Sequence, residues 1–503
     1  MIIKFSRVAV TLLLSAILFA TFNSYAAGSK GDVSPSYSIT IDDSNHRLAK
    51  VRAVMTTQDE FLYMAPGAQI LPRRWATFIG DLKVFDGTGN PVAATELPDA
   101  KWKLDIAGPT KITVTYSVRL DHEKYEWPGG IDGVAYATDW GVFWTSRALL
   151  IMNGADRSGI AVDFKLPAVW RVTAPWKPVR DDPNSFIAKN QTDLSEAMIF
   201  AGTHREISVK RSGFELIFAL GGEEIVSRTE EFRKMSEGVM DYYITLMGGV
   251  PKPRPANRFE RAVVIINSAN NTDGEVIGNN ISLLVDRGGG EMAKLFSTFI
   301  FAHEFFHFWN GKSITPKDDD CEWFKEGVSN YYTIKALHHV GFLDEPGFFR
   351  AMNSIFYQRY RTDPGLGKIA LTAGGEKHDH WGIIYGGGMF AGIAQDLMIR
   401  KSSGNRKSLD DLMRALYKRY GGTDDEYTLD EIRRRLSDLN GSDQSEFFKR
   451  YVAGNSAIPI NEFLPFAGLD ATIEDGNLRV IRSEKRDPAK ERILAGLLGT
   501  PKR

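Results

Sequence analysis

FIFAHEFFHFWN, residues 299–310, lies in a strongly apolar stretch, 291–310, patterned as a helix. Into it are set His303, Glu304 and His307, in a chain with nine histidines in 503 residues. Histidines at i and i+4 stand one above the other on a helix, so both imidazoles can reach one ion. Glu304 is turned about 100° from His303. That takes it out of the ligand set and lets it face a water beside the ion. Two neutral nitrogens and an adjacent carboxylate base are what a zinc ion needs to activate water for attack on a carbonyl.

Two ligands do not complete such a site, which takes three protein ligands and keeps one position open. The next segment, Trp323-Phe324-Lys325-Glu326-Gly327, supplies Glu326. Eighteen residues separate it from His307. That length allows a loop through Gly311, Pro316 and the aspartates at 318–320, then a return helix over about 322–340. Two histidines and one carboxylate leave a single zinc ion net positive, which preserves its Lewis acidity. Asn330, one turn beyond Glu326, is placed to orient a zinc histidine by a hydrogen bond.

Around this centre the pattern changes period. From about 35 to 225 it alternates every two residues: Ile112, Val114, Tyr116, Val118 and Leu120 share one face, opposite Thr113, Thr115, Ser117 and Arg119. Residues 205–220 read as two strands about Ser212-Gly213. Helical spacing begins with Phe232, Met235, Val239, Tyr242, Tyr243 and Leu246, and Gly248-Gly249 closes it. Val263-Val264-Ile265-Ile266 and residues 281–285 suit buried strands. Beyond 340 the chain is mostly helical, with Ser408/Asp411 and Thr428/Glu431 spaced as capping boxes. The expected fold class is multi-domain α+β. Its parts are a signal peptide at 1–26, an antiparallel β-rich N-terminal domain at 27–225, a zinc catalytic domain at 226–340, an α-helical domain at 341–460 and a C-terminal tail at 461–503.

Composition narrows the class. Net charge is −1, with 43% hydrophobic and 25% charged residues, so no global field invites nucleic acid. Arg433-Arg434-Arg435 falls in a helical pattern and reads as a solvated face. Lys4 and Arg7, the apolar run 8–22 and Ser24-Tyr25-Ala26 form a secretory signal, short for a membrane span. No later apolar stretch is long enough to span. The protein is therefore expected to be exported, periplasmic or extracellular, with no stable membrane insertion after cleavage. No cysteine lies at that site to carry a lipid. Cys321, the only cysteine, precludes an internal disulfide and reads as a small buried residue.

The runs HEFFHFWN and WFKEGVSNYY make the sequence similar to the gluzincin metallopeptidases, in particular the glycyl aminopeptidase family. Ile384-Tyr385-Gly386-Gly387-Gly388 resembles that family's Tyr-x-Lys-Gly segment, with Gly387 in place of lysine. Gln395 to Arg400, Ser408 to Asp411 and Phe447 to Val452 continue the likeness. It covers roughly residues 35–470 in layout and is specific from about 260 to 455. The resemblance implies a thermolysin-like catalytic domain between a β-rich domain and a helical one. It gives Tyr385 the role of donating to the developing oxyanion. The family also carries a glutamate in a Gly-rich strand, which pairs with a substrate's free α-amine. Gly278 stands at that place, within Glu275-Val276-Ile277-Gly278-Asn279-Asn280. Either Glu275 substitutes from nearby or the anchor is absent, and Gly278 and Asn279 fall in the strand that would hold substrate backbone, 278–282. The family's C-terminal PDZ domain is expected to be missing, since the chain ends at Arg503.

The resulting expectation is a zinc metallopeptidase acting on peptides or proteins, as an aminopeptidase. Glu304 would serve as general base and Tyr385 as oxyanion donor. An endopeptidase or dipeptidase without amine anchoring, and a zinc-bearing peptide-binding protein without turnover, are the alternatives.

Overall fold

Two-residue alternation builds the N-terminal sheets. In this computed structural model, which describes residues 34–120, 133–155, 157–179, 182–255 and 259–499, Ser36–Asp42 (β1) pairs antiparallel with Asn45–Thr56 (β2). On its other side β2 pairs antiparallel with Lys111–Arg119 (β3). Ser158–Lys165 (β4) lies parallel to β1. These four strands form the middle of an eight-stranded sheet. Ile112, Val114, Tyr116 and Val118 all point into the core, joined there by Ile39, Val51, Trp75 and Trp102. The alternation read from sequence is thus the observed one. The expected signal peptide lies outside the described residues.

A five-stranded sheet follows, made of Arg205–Arg211 (β5), Phe214–Gly221 (β6), Arg261–Ala269 (β7), Asp273–Ile277 (β8) and Asn280–Asp286 (β9). Its order is β5-β6-β7-β9-β8. The β5–β6 turn is tight because Ser212 (φ 51) and Gly213 (φ 85) are both left-handed, the pairing that suits a two-residue hairpin. β6, β7 and β9 are parallel, whereas β8 is antiparallel and forms an edge. Parallel strands are covered on both faces, and Val263, Val264, Ile265 and Ile266 are accordingly all fully buried.

The chain divides into two compact units. Of the described residues, one holds those within Met1–Ser208, Glu215–Thr229 and Arg261–Ser297, and the other those within Val209–Phe214, Glu230–Glu260 and Thr298–Arg503. The first is the β-rich part. The second is built on helices: the greater part of Thr229–Met247 (α1), the C-terminal half of Gly290–Phe306 (α2), Val328–His339 (α3), Gly388–Ser402 (α4), Leu409–Tyr420 (α5) and Leu429–Asn440 (α6). A hairpin of Leu469–Glu474 (β10) and Asn477–Arg482 (β11) and a last helix, Pro488–Leu498 (α7), complete it. The fold is therefore mixed α+β, with a β-rich N-terminal part and a helical C-terminal part.

Three departures from the sequence reading have physical causes. α2 stops at Phe306 rather than at Asn310, because Phe308 and Trp309 close shorter turns onto Phe305 and Phe306. Both α3 and α4 are entered through wide π turns, Trp323–Gly327 and Gly382–Gly387. The second turn runs on into α4, so Gly382–Ser402 is a helical stretch long and apolar enough to cross a membrane, where none was expected beyond the first residues. Nearly all of it is buried by the protein itself. Its apolarity is that of a core helix.

Polar groups hold this core together as well. Asp396 on α4 accepts from the Tyr331 hydroxyl (2.6 Å), Arg400 Nε (2.9 Å) and the Leu409 amide (2.7 Å). Ser408 and Asp411 form the expected capping box on α5. Thr428 caps α6 through the Glu431 amide, but the Glu431 carboxylate turns away to Tyr420 and Arg435. The arginines of α6 meet Asp430, Asp438 and Glu431 within their own helix, a solvated ion-pair face as read.

Candidate metal centre and active site

The end of α2 is fixed before any ligand is considered. The Tyr243 hydroxyl donates to the Ala302 carbonyl at 2.9 Å, and Phe305, Phe306 and Trp309 pack around the same ring. His303 and His307 then project from one side of the helix end, rings 4.6 Å apart and nearly perpendicular. Nδ1 of His307 lies 2.9 Å from the Asn310 carbonyl. A carbonyl only accepts, so Nδ1 carries the proton and Nε2 presents its lone pair inward. Phe299 stacks on His303.

Glu326 arrives from the π turn before α3. Its Oε2 lies 3.1 Å from His307 Nε2 and 3.4 Å from His303 Nε2, and the two Nε2 atoms are 3.0 Å apart. With His307 Nε2 and Glu326 Oε2 both acceptors, these separations call for a positive centre between the three atoms, either a proton on His303 Nε2 or a bound cation. Ligand bonds of about 2.0–2.1 Å in a tetrahedron place neighbouring donors about 3.3 Å apart, so the residues present fit one small divalent ion. Burial alone would raise the Glu326 carboxyl, but His307 and Lys325 outweigh it and hold it well below the usual range. It is charged, as a ligand must be.

Glu304 is buried, with a carboxylate oxygen within 4.8 Å of ligating atoms of both histidines. Burial pushes its carboxyl up to about 7, against the pull of His303. A carboxylate poised near neutrality can both take and return a proton.

Tyr385 sits in the second π turn. Trp381 stacks on it at 5.0 Å, and Asn330 Nδ2 donates to its backbone carbonyl at 3.3 Å. Its hydroxyl interacts with Glu326. Burial, then the charges of Glu326, Glu304 and Glu322, raise its pKa well above the usual value, so it stays protonated and able to donate. Asn330 thus holds the tyrosine. The contact expected from it behind a histidine is made by Asn310, whose side chain also donates to the Phe324 and Lys325 carbonyls. Asn310 ends the quoted motif three residues after His307, and that spacing was the available signal.

His303, Glu304, His307, Glu326, Asn330 and Tyr385 are therefore gathered in one unit. Glu275, Gly278 and Asn279 belong to the other. Glu275 is buried on β8, the true edge strand. The strand expected at the edge, β9, is instead flanked by β7 and β8. Gly278 turns the β8–β9 hairpin with φ +58, and a Cβ there would lie 2.7 Å from Glu196 Oε2. The left-handed φ favours glycine, and a side chain there would have to displace the Glu196 carboxylate. The Asn279 side chain is occupied, donating to the Arg261 carbonyl at 2.5 Å.

Sequence reasoning missed Glu322, Lys325 and Lys377, which surround the far side of Glu326. Cys321 is buried, and burial with Asp320 pushes its thiol up, so it stays a neutral packing residue. His380 is paired with Asp363 at 2.8 Å.

Comparison with known proteins gives a consistent picture. Residues 36–203 match the peptidase M61 N-terminal domain, and residues 297–381 match the M61 glycyl aminopeptidase family. An aminopeptidase N family protein from Idiomarina loihiensis has a similar fold, with a TM-score of 0.71 at 20% identity over 88% of this chain and 80% of that one. An M1 zinc metallopeptidase from Deinococcus radiodurans has a TM-score of 0.52 at 12% identity, over 86% of this chain and 96% of its own. At such identities the likeness is one of fold. A search of curated proteins found no match.

Proposed function

We propose that this chain, a peptidase belonging to the M61 family, is an aminopeptidase that hydrolyses peptide bonds with one zinc ion held by His303, His307 and Glu326. The observation that carries the reading is the convergence of two imidazole Nε2 atoms and one carboxylate oxygen within 3.4 Å of one another. Zinc bound there would supply a Lewis acid for the scissile carbonyl and for the attacking water.

The chain's own groups do the remaining work. Glu304 takes the proton from the water as it attacks, then passes it to the leaving amine. Tyr385, kept protonated, donates to the oxygen on which negative charge develops. Asn330 and Trp381 keep that hydroxyl aimed. Asn310 keeps the His307 lone pair turned inward. The intact buried base argues against a binding protein without turnover, which has no use for Glu304.

A second reading is favoured by one observation. The left-handed Gly278 turn, packed on Glu196, disfavours a side chain where the family carries its amine-anchoring glutamate, which suits an endopeptidase or dipeptidase. Cleavage of matched peptides with free and acetylated N-termini separates the two. The aminopeptidase reading expects the free peptides to be cleaved one residue from the end and the acetylated ones to resist. Equal cleavage of both removes the aminopeptidase assignment and leaves the peptidase.

Export to the periplasm or beyond is proposed on Lys4, Arg7 and the apolar run 8–22. N-terminal sequencing of protein recovered from outside the cytoplasm should begin just after Ala26.

A further inference from the structure

We propose that Lys325, Lys377 and Glu322 form a clamp on the second oxygen of Glu326. The clamp holds this carboxylate to a one-oxygen contact with the metal and sets how tightly the metal is bound. The inference rests on the ligand set proposed above. Oε2 of Glu326 faces the two histidines. Oε1 is turned to two ammonium groups, Lys325 Nζ at 3.4 Å and Lys377 Nζ at 3.7 Å. Glu322 ties those ammoniums together, 2.8 Å from Lys325 and 2.5 Å from Lys377. The side chains of Lys325, Lys377, Glu322 and Glu326 are only 13, 11, 8 and 0% exposed.

Hiding four charges costs far more than leaving them in water unless each is paired; here both lysines hydrogen-bond to Glu322 and meet Glu326 Oε1, which has no hydrogen bond of its own, as ion pairs. The pairing is built in by the backbone. Lys377 follows Gly374, where a Cβ would come within 2.0 Å of the Asp319 carbonyl and 2.7 Å of Glu322 Cβ. Only glycine lets that loop lie close enough for Lys377 to reach the cluster.

The chemical consequence follows from the two oxygens of a carboxylate. With Oε1 free, Glu326 could swing and chelate the ion with both, filling the position that water and substrate need. Ammonium groups on Oε1 oppose the swing. They also draw charge from Oε2 and make it a weaker donor. Two lysines and two glutamates sum to zero, so removing one lysine charge leaves the cluster negative beside the ion. Removing the Glu322 charge leaves it positive. The two changes must move the affinity for a divalent cation in opposite directions. Lys325, Lys377 and Glu322 are positioning residues, acting on the reaction through Glu326.

The test is zinc affinity of the metal-stripped, full-length protein at fixed pH, measured by competition with a chromophoric chelator. Lys377→Met should bind zinc about tenfold more tightly and Glu322→Gln about tenfold more weakly. Lys377→Arg, which restores the charge, should stay close to wild type. Loaded with cobalt, Lys377→Met should absorb more weakly in the visible than wild type, as added coordination requires. Misfolding weakens both variants alike and cannot produce opposite signs. In variants whose unfolding midpoints match wild type, shifts of the same sign, or none, would overturn the clamp and leave the ligand set standing; should Lys377→Met unfold more easily, Lys325→Met, which removes the same charge, takes its place. A wild type that binds no zinc overturns the ligand set, and the clamp with it.

Discussion

At the scale of single residues Glu304 and Tyr385 have separate tasks in the proposed mechanism, and each has its own signature. Glu304→Gln keeps shape and metal but loses the base. Peptide turnover should fall about 10²–10⁴-fold with zinc content unchanged; comparable activity in a metal-replete variant would remove Glu304 from the mechanism. Tyr385→Phe should lower kcat about 10²–10³-fold with little change in KM, because the hydroxyl acts only as charge develops. A KM effect alone would make it a substrate contact instead. The grouping of His303, Glu304, His307 and Glu326, the proposed ligands and base, was legible in the sequence because they lie on one helix and one return segment, where spacing translates directly into geometry. Asn310 and Lys377 were not. The first acts through its backbone carbonyl, so that its spacing from His307 was the one signal and its residue type none, and the second reaches Glu326 from 51 residues further along the chain, beyond several helices. Gly278 was legible as a departure from the family pattern, but its reason, a left-handed turn packed on Glu196, needed the fold.

At the scale of elements the ligand helix and the tyrosine helix are held by direct backbone contact. A Cβ on Gly327 would lie 2.3 Å from the Gly388 backbone, and one on Gly388 would lie 2.4 Å from the Trp323 carbonyl. Gly327 follows Glu326 directly, and Gly388 closes the turn that carries Tyr385. Gly327→Ala should therefore force the two turns apart, costing about 1–3 kcal/mol of stability and lowering kcat beyond what the lost stability explains. The check is denaturant unfolding together with kinetics well below the melting temperature. Normal activity in the alanine variant would show that the close approach is not needed. Periodicity identified both helices, but not their π turns: one wider turn is a local change that a 3.6-residue pattern averages away. Ser408/Asp411 was fully legible because a capping box is local in sequence. The second half of the Thr428/Glu431 box was lost to Tyr420 and Arg435, partners that only the fold brings within reach.

At the scale of the whole molecule the buried ionisable groups predict how stability follows pH. Burial, then Arg171, depress His204 to about 3 in the folded protein, whereas an unfolded histidine takes its proton near pH 6.5. The contribution of His204 is complete above that value and is lost as pH falls toward about 3. Burial raises Asp273 to about 6 from 3.8, so its contribution is complete at acid pH and is lost as pH rises through 6. Chemical denaturation at pH 7 and pH 5 should show His204→Gln losing less stability on acidification than wild type. Asp273→Asn should be more stable than wild type at pH 7. Parallel curves for wild type and variants would contradict both assignments. The β-then-helical order of the chain was readable from the change of period near residue 226. The division into two units, with 209–214 and 230–260 grouped with the helices, was not, because it depends on contacts between segments distant in sequence. On the proposed function, what the whole molecule accomplishes turns on one zinc ion. The direct measurement is zinc bound per chain in purified wild type and in Glu326→Ala, by elemental analysis. The predicted result is one zinc per wild-type chain and almost none in the variant. No zinc in the wild type, or a full equivalent retained without Glu326, would contradict it.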